Sequence, residues 1–551
     1  MSVRKPLGEI LIEAGIITTE MITYALSVQR VSKERMGDVL LRLRFATDVE
    51  IARTLATQSG VHYESLATYT PDREALAQIP SNFAQKFGVL PLGFEGEHLL
   101  LATDDPYQTD IADRASRFTN RRLKMVLAPA LRLRRTIQRA YYMAEHPIDE
   151  DVARLAGELQ AGREVNTEAL LDLLMAAAVD ERASDVHVSP TASASLISMR
   201  LDGVLHLRFA LPAGLHARLV STCKVRAGLD IADTSRPQDG RATFKFIDGN
   251  YDLRVSTMPT ADGENLVIRV LSGSAELVSL ASIGLSDAQT RTLDRAVSQP
   301  HGTLLICGPT GSGKSTTLYA LLRRVNAMQR NIMTIEDPVE YRMPLAHQVE
   351  VNERAGLTFA SSIRGFLRQD PDVILVGEVR DEETAALSMR AAQTGHLVLT
   401  SLHANDTVSA LVRLRDLGVE NYLIASTISA IVAQRLLRKL CTHCREPLPV
   451  DFEDTAPAQE QASGQYTRYR ASGCTRCHQT GYIGRQAVAE VLEINRDLSR
   501  MIDQGDTPSA LYEAVEQLGI SSMRDEATRL VDEGITDQAE FDRVLGAAHA
   551  R

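Results

Sequence analysis

The chain has 551 residues, enough for about three to four domains, so core size is not limiting. Its 44% hydrophobic and 24% charged content is ordinary for a globular chain, and a net charge of −11 argues against a nucleic-acid carrier. No apolar run approaches about eighteen residues, and Met1-Ser-Val-Arg-Lys-Pro6 lacks the apolar core of a signal peptide, so a cytosolic protein that meets membranes through partners is expected. Six cysteines, four of them in Cys-x-x-Cys pairs, form no disulfide framework and point to metal in a reducing compartment.

Residues 1–60 carry an internal repeat. Leu7-Gly-Glu-Ile-Leu-Ile-Glu-Ala-Gly-Ile-Ile-Thr18 returns as Met36-Gly-Asp-Val-Leu-Leu-Arg-Leu-Arg-Phe-Ala-Thr47, and a helical stretch ending in Gln29 or Gln58 follows each copy. Two such units predict a small helical module. Residues 61–145 read as a small α/β piece, with strands at Val89–Leu92 and His98–Ala102, a helix at Asp110–Phe118 and a closing Arg-rich helix at Arg132–Tyr142. Residues 146–165 turn acidic and lose their apolar period, which predicts a linker.

A second α/β domain is expected over 166–284. It opens with a helix from Thr167 to Ala183 and continues in strands through Met199-Arg-Leu-Asp-Gly-Val-Leu205, Tyr251-Asp-Leu-Arg254-Val-Ser and Leu266-Val-Ile-Arg269-Val, with a turn at Pro237-Gln-Asp-Gly-Arg241. Arg241, Arg254 and Arg269 on or beside these strands leave two readings open: solvated pairs of a monomer, or arginine fingers for a neighbouring subunit's phosphates.

The apolar run Thr303–Cys307 leads into Gly308-Pro309-Thr310-Gly311-Ser312-Gly313-Lys314-Ser315-Thr316 and then a helical pattern. That strand–loop–helix context is what a phosphate-binding P-loop requires: backbone N–H groups and the helix N-terminus face the phosphates, Lys314 contacts the β/γ-phosphates, and the Ser315 hydroxyl binds Mg2+. From 285 to 440 strands alternate with helices, which predicts a mostly parallel RecA-type sheet. Asn331–Glu336 delivers the carboxylates Glu336, Asp337 and Glu340 to the C-terminal end of a strand, and Arg364 and Arg368 stand at i, i+4 on one helix. Val373-Ile-Leu-Val-Gly377-Glu378 resembles a Walker B strand, yet Gly377 stands where an Asp is usual. Glu336, Asp337 and Glu340 are the expected suppliers of the missing metal ligand. His396 and His403 flank one more strand, placed to sense the γ-phosphate or to line a subunit interface.

Cys441-Thr-His-Cys444 and Cys474-Thr-Arg-Cys477 have twenty-nine residues between them. Two such knuckles suit a closed tetrahedral zinc (Zn2+) site at ~2.3 Å per sulfur, hence a structural metal. Cys223 and Cys307 read as buried small hydrophobes. After Gly481-Tyr-Ile-Gly-Arg485 the chain is expected to be helical to its end, in segments 498–504, 510–517, 523–533 and 540–547.

With these motifs in this order, the chain resembles the ATPases of the type II secretion and type IV pilus assembly superfamily, whose Walker B carries Gly before Glu. The resemblance spans 160–551 strongly and 1–145 weakly. It implies an α/β protein: a RecA-like P-loop ATPase domain (285–440), preceded by a smaller PAS-like, arginine-bearing α/β domain (166–284) and an N-terminal α-rich docking domain (1–145). A C-terminal zinc element (441–480) and a helical cap (481–551) follow. It further implies a homo-hexamer with ATP at subunit interfaces. Carried over by position, Glu340 polarises the attacking water, Lys314 and Ser315 hold phosphate and Mg2+, Glu378 supports metal and water, and His396 and His403 couple neighbouring sites. Arg241, Arg254, Arg269, Arg364 and Arg368 are the candidates for phosphate and intersubunit contacts. The implied partners are an inner-membrane platform protein and a membrane partner with a cytoplasmic docking domain. Cyclic di-GMP is a candidate ligand of residues 1–60, where Arg35 holds the basic position while Pro6 and Arg44 depart from the motif. Tyr469-Arg-Ala-Ser-Gly-Cys474 favours the type II secretion branch, with pilus extension as the alternative. A RecA-like nucleic-acid motor is disfavoured by the acidic balance and the absence of Trp. A non-catalytic scaffold is disfavoured because Glu340 and Glu378 are both present.

Overall fold

The computed structural model describes residues 5–546 except 68, 71, 161–162, 248, 273–277 and 449–467, and the chain divides into two compact units. Residues 449–467, most of the stretch between the two cysteine knuckles, lie outside the described residues.

The first unit comprises residues 1–14 and 48–275. Its smaller sheet pairs β1 (Val89–Glu95) antiparallel with β2 (His98–Thr103), and β2 parallel with β3 (Arg122–Leu127) through the helix Thr109–Ala115. The helix Ala130–Glu145 closes it, burying Leu133, Ile137, Ala140 and Tyr141 at i, i+4, i+7, i+8. Asp48 caps that helix, accepting from Leu131 N at 2.8 Å and Arg132 N at 3.1 Å.

The expected linker is instead largely the helix Ile148–Gln160. Its Asp149, Glu150 and Asp151 suit the positive end of a helix dipole, and they mask an apolar stripe of Ile148, Val152 and Leu155 that is buried in the next core. Arg208 fastens it, reaching Asp149 at 2.5 Å and Glu181 at 2.6 Å.

The larger sheet of this unit is antiparallel: β4 (Asp185–Pro190), β5 (Ala194–Leu201), β6 (Val204–Pro212), β7 (Gln238–Phe246), β8 (Gly249–Thr260) and β9 (Gly263–Ser272), in the order β6-β5-β4-β9-β8-β7. Alternation puts Val186, Val188, Ile197, Met199, Leu253, Val255, Leu266 and Ile268 on the face packed against the helices Thr167–Asp180 and His216–Ala227. The opposite face carries Asp185, Arg200, Arg254 and Arg269.

The second unit comprises residues 15–47 and 276–551. Its sheet contains β10 (Gly302–Cys307), β11 (Ile332–Glu336), β12 (Ala346–Glu350), β13 (Val373–Val376), β14 (Leu397–Leu402) and β15 (Ile428–Leu440), all parallel to their neighbours. A ribbon of β16 (Glu446–Pro447) and β17 (Tyr469–Arg470) follows, and then β18 (Tyr482–Glu493) runs antiparallel to β15, giving the order β12-β11-β13-β14-β10-β15-β18. Every residue of β10, β11, β13 and β14 is buried, as a parallel sheet covered on both faces demands. β18 corrects the expectation of helix after Arg485: Ala487, Ala489 and Glu490 are good helix formers, but pairing with β15 decides their conformation. Helices Arg496–Gln504, Pro508–Gln517, Met523–Asp532 and Gln538–Leu545 complete the cap.

The repeat of residues 1–60 forms four helices, Leu7–Glu13, Thr19–Ser32, Met36–Arg42 and Asp48–Ser59. In each copy the closing glutamine donates to the carbonyl before a short helix, Gln58 to Lys5 O at 2.5 Å and Gln29 to Glu34 O at 3.0 Å.

Candidate active site

β10 delivers the chain into Gly308–Gly313, and the helix Lys314–Leu322 starts with Gly313 at its N-cap, φ +88°. Glycine is required at both ends of the loop. A Cβ on Gly308 would stand 2.5 Å from Gln434 O, and one on Gly313 would stand 2.8 Å from Gln434 Nε2. Gln434, buried on β15, donates to Ser312 O at 2.7 Å and accepts from the Thr317 hydroxyl at 2.8 Å, holding the loop from behind. Pro309, Thr310, Gly311 and Ser315 are exposed at the mouth, while Ser312 is buried. Lys314 Nζ donates to Gly308 O at 2.9 Å and Pro309 O at 3.1 Å; burial lowers its pKa, and the charge of Glu378 partly offsets this.

Neighbouring strands bring the next groups together. β13 and β14 are adjacent, so residues just past their ends meet: His403 Nε2 lies 2.8 Å from Glu378 Oε1, and Arg380 donates to Glu378 Oε2 at 2.9 Å while facing Asp337 at 3.9 Å. The missing Walker B aspartate has a steric reason. A Cβ on Gly377 would already stand 3.2 Å from Ile335 O and 3.4 Å from Glu336 Cα, because β11 runs close alongside.

The expected trio Glu336, Asp337 and Glu340 does not act as one group. Glu336 is only 4% exposed; its Oε1 accepts from the Thr334 hydroxyl at 2.6 Å and from Gln348 Nε2 at 3.3 Å, and its Oε2 accepts the Tyr319 hydroxyl. Burial pushes its pKa up. Asp337 and Glu340 are exposed.

The two histidines also separate. Parallel register pairs Gly302 with Leu397 and Cys307 with Leu402, so His403 lies at the P-loop end of β14 and His396 at the other, roughly 20 Å away at ~3.3 Å per residue. His396 Nδ1 lies 2.8 Å from Ala391 O. In the sequence both histidines flank one strand, but the strand's length sets them apart. Arg364 pairs with Glu383, and Arg368 donates to Arg364 O at 2.8 Å, so the structure does not bring either to the P-loop of its own chain.

In the first unit, strand register lines up Arg241, Arg254, Arg269, Asp185 and Arg200 across β7, β8, β9, β4 and β5. Asp185, 7% exposed, binds Arg269 Nε at 3.0 Å and lies 3.6 Å from Arg200 Nε. Arg241 and Arg254 have no carboxylate partner among the described residues. They line a cleft of ≈ 420 Å³ with Asp185, Asp239, Ser256 and Arg269.

Residues 160–543 match the family model for "Type II/IV secretion system protein". The chain belongs to that family. Residues 59–147 match the MshEN domain. The chain is 44% identical over 375 residues to Type II secretion system protein HxcR of Pseudomonas aeruginosa, covering 68% of this chain and 76% of that one. It is 33% identical over 553 residues to the Type IV pilus assembly ATPase PilB of Myxococcus xanthus, covering 97% and 98%. The X-ray structure of the Yersinia pseudotuberculosis ATPase DotB has a TM-score of 0.52 at 21% identity over 68% of this chain and 93% of that one, a shared fold. As a member of the secretion family the chain is an ATP hydrolase of protein secretion or pilus assembly, and it works on ATP with Mg2+. No helix among the described residues is long and apolar enough to cross a membrane.

This ATPase also gathers Cys441, Cys444, Cys474 and Cys477, with all four sulfurs within 4.8 Å of one another. The separations of 3.9 Å (441–474), 3.8 Å (444–477) and 3.7 Å (474–477) match the edge of a tetrahedron with ~2.3 Å metal–sulfur bonds, about 3.8 Å. Cys474 N and Gly481 N each donate to Cys477 Sγ at 3.2 Å, as outer-shell donors to a ligating thiolate would. The donor set fits zinc. Gln434, Arg380 and Asp185 escaped the sequence reading. Gln434 alone carried a signal, a polar side chain directly after the apolar run Ala430–Ala433.

Proposed function

We propose that this ATPase is the hexameric motor of a type II secretion system, driving pseudopilus assembly at the inner membrane through a platform protein and a docking partner. The observation that carries the motor reading is the incomplete charge balance of the chain. Arg241 and Arg254 face outward with no carboxylate partner among the described residues, while the P-loop is built for a strongly anionic phosphate group and the arginine beside it, Arg380, is already engaged by Glu378. Arginines of one subunit meeting the phosphates of the next satisfy both.

In this reading the backbone of Gly308–Thr316 and Lys314 bind the β- and γ-phosphates, and Ser315 holds the Mg2+ that accompanies ATP. Glu340, exposed beside the loop's helix, polarises the attacking water. Glu378, held between His403 and Arg380, supports that water and the metal, so His403 couples its place to the γ-phosphate. Arg241 and Arg254 approach the neighbour's nucleotide, Arg269 steadies their row through Asp185, and Arg364, Arg368 and His396 serve subunit contacts. Closure of one domain on another around the nucleotide supplies the stroke. Cys441, Cys444, Cys474 and Cys477 would hold one structural zinc, which joins the β16–β17 ribbon to the cap. Metal analysis should give one zinc per chain, and its removal should cost on the order of 10 kcal/mol of local folding free energy.

The pilus-extension reading has its own support, since PilB of Myxococcus xanthus aligns over nearly the whole of both chains. Binding of the full chain, side by side, to the cytoplasmic domains of a secretion-system partner and of a pilus partner separates them. Preference for the pilus partner overturns the secretion reading.

A further inference from the structure

The segment that carries Glu340 is irregular. Between β11 and β12, residues 337–345 form neither helix nor strand, so sheet hydrogen bonds do not fix Glu340. Side chains of the surrounding elements fix it instead. Gln348 on β12 donates through Nε2 to Tyr341 O at 2.8 Å and accepts at Oε1 from Met343 N at 2.7 Å, gripping the backbone on the C-terminal side of Glu340. Tyr319, 3% exposed on the P-loop helix, receives Tyr341 N at 3.4 Å and Gln348 Nε2 at 3.2 Å on its hydroxyl oxygen and donates its own proton to Glu336. Its ring meets that of Tyr341 edge-on at 4.9 Å.

We propose that Tyr319, Glu336 and Gln348 are positioning residues that hold Glu340 in register with the P-loop, and that Glu336 is the anchor of this cluster and not a metal ligand. The proposal rests on the reading of Glu340 as the water-polarising carboxylate. Its chemistry is that of a relay of hydrogen bonds without proton transfer: the Tyr319 hydroxyl must donate to a fixed acceptor, Glu336, for its lone pairs to point at Tyr341 N and Gln348. Both Glu336 oxygens are thereby occupied. Tyr319 starts the link on the same helix whose first residues bind phosphate, so the cluster ties Glu340 to the phosphate site as well as to β12.

Tyr319→Phe keeps the ring and removes only the hydroxyl. In steady-state ATPase assays of the full chain, kcat should fall about 10- to 100-fold, with KM for ATP and the Mg2+ concentration for half-maximal rate within about 3-fold of wild type. Gln348→Met should act in the same direction through the other grip and covers the case in which Tyr319→Phe fails to fold. In a Glu340→Asp background, which already misplaces the carboxylate, Tyr319→Phe should add less than about 3-fold. An unchanged kcat in either single variant, a loss carried by KM, or full multiplicative losses in the Glu340→Asp background overturns the positioning role. A Glu336→Gln variant with a tenfold higher Mg2+ requirement overturns the exclusion of Glu336 from the metal. Failure of the underlying reading looks different: Glu340→Gln would then turn over ATP at the wild-type rate.

Discussion

The loop end of the parallel sheet and the open face of the antiparallel sheet are both rich in charge, but they balance it differently. At the loop end the charges nearest the phosphate loop meet an opposite one or a dipole: Glu378 lies between His403 and Arg380, and Lys314 rests on two carbonyls, while Glu340 stands exposed. On the open face one buried carboxylate, Asp185, serves only part of a row of four arginines. Cations held in adjacent register without counter-ions repel one another, which supports the proposal that an anion from elsewhere completes that face. In the proposed reading the first region binds and positions substrate, and the second is half of an interface.

The largest effect should come from the first region. Lys314→Ala removes the charge nearest the transferring phosphate and should take turnover below about a thousandth of wild type in a phosphate-release assay; near-normal rates would displace the site from this loop. Arg254→Ala and Arg241→Ala should each lower kcat about 100- to 1,000-fold while leaving the binding of a non-hydrolysable ATP analogue within about 3-fold, because an arginine finger acts on the transition state. Arg269→Ala sharpens the contrast. It strips Asp185 of its nearer partner, so it should cost about 1–3 kcal/mol by denaturant unfolding and less than about tenfold in rate; equal kinetic losses at all three arginines would erase the division drawn between them.

The smallest effect is in pH dependence. Burial lowers the pKa of Lys314, so in the free enzyme its proton leaves below the ordinary lysine value as pH rises. The alkaline limb of kcat/KM, which reports free enzyme, should therefore fall earlier than that of kcat, where bound phosphate restores the charged form. Coincident limbs would remove Lys314 from this role.

Local rules made much of this legible in the sequence. The P-loop, its flanking strand and helix, and the cysteine knuckles are contiguous motifs whose spacing is their geometry. What escaped was set by pairing across the fold. β18 is a strand because β15 needs a partner. The helix Ile148–Gln160 hides three apolar residues among acids that favour its N-terminus. Glu336 and Glu340 stand four positions apart in the chain, yet Tyr319 and Gln348 lock the first into the core and leave the second exposed. Sequence offered three equivalent arginines; only the β4–β9 register reveals that Asp185 engages Arg269 and leaves Arg241 and Arg254 uncompensated.

The most direct test mixes two inactive variants. Lys314→Ala subunits retain their arginines, and Arg254→Ala subunits retain their P-loop. If the site is shared between neighbours, mixed assemblies contain interfaces with both, and ATPase activity should reappear on mixing, well above the sum of the separate variants. Activity that stays at that sum at every mixing ratio, in assemblies shown to exchange subunits, would contradict the composite site.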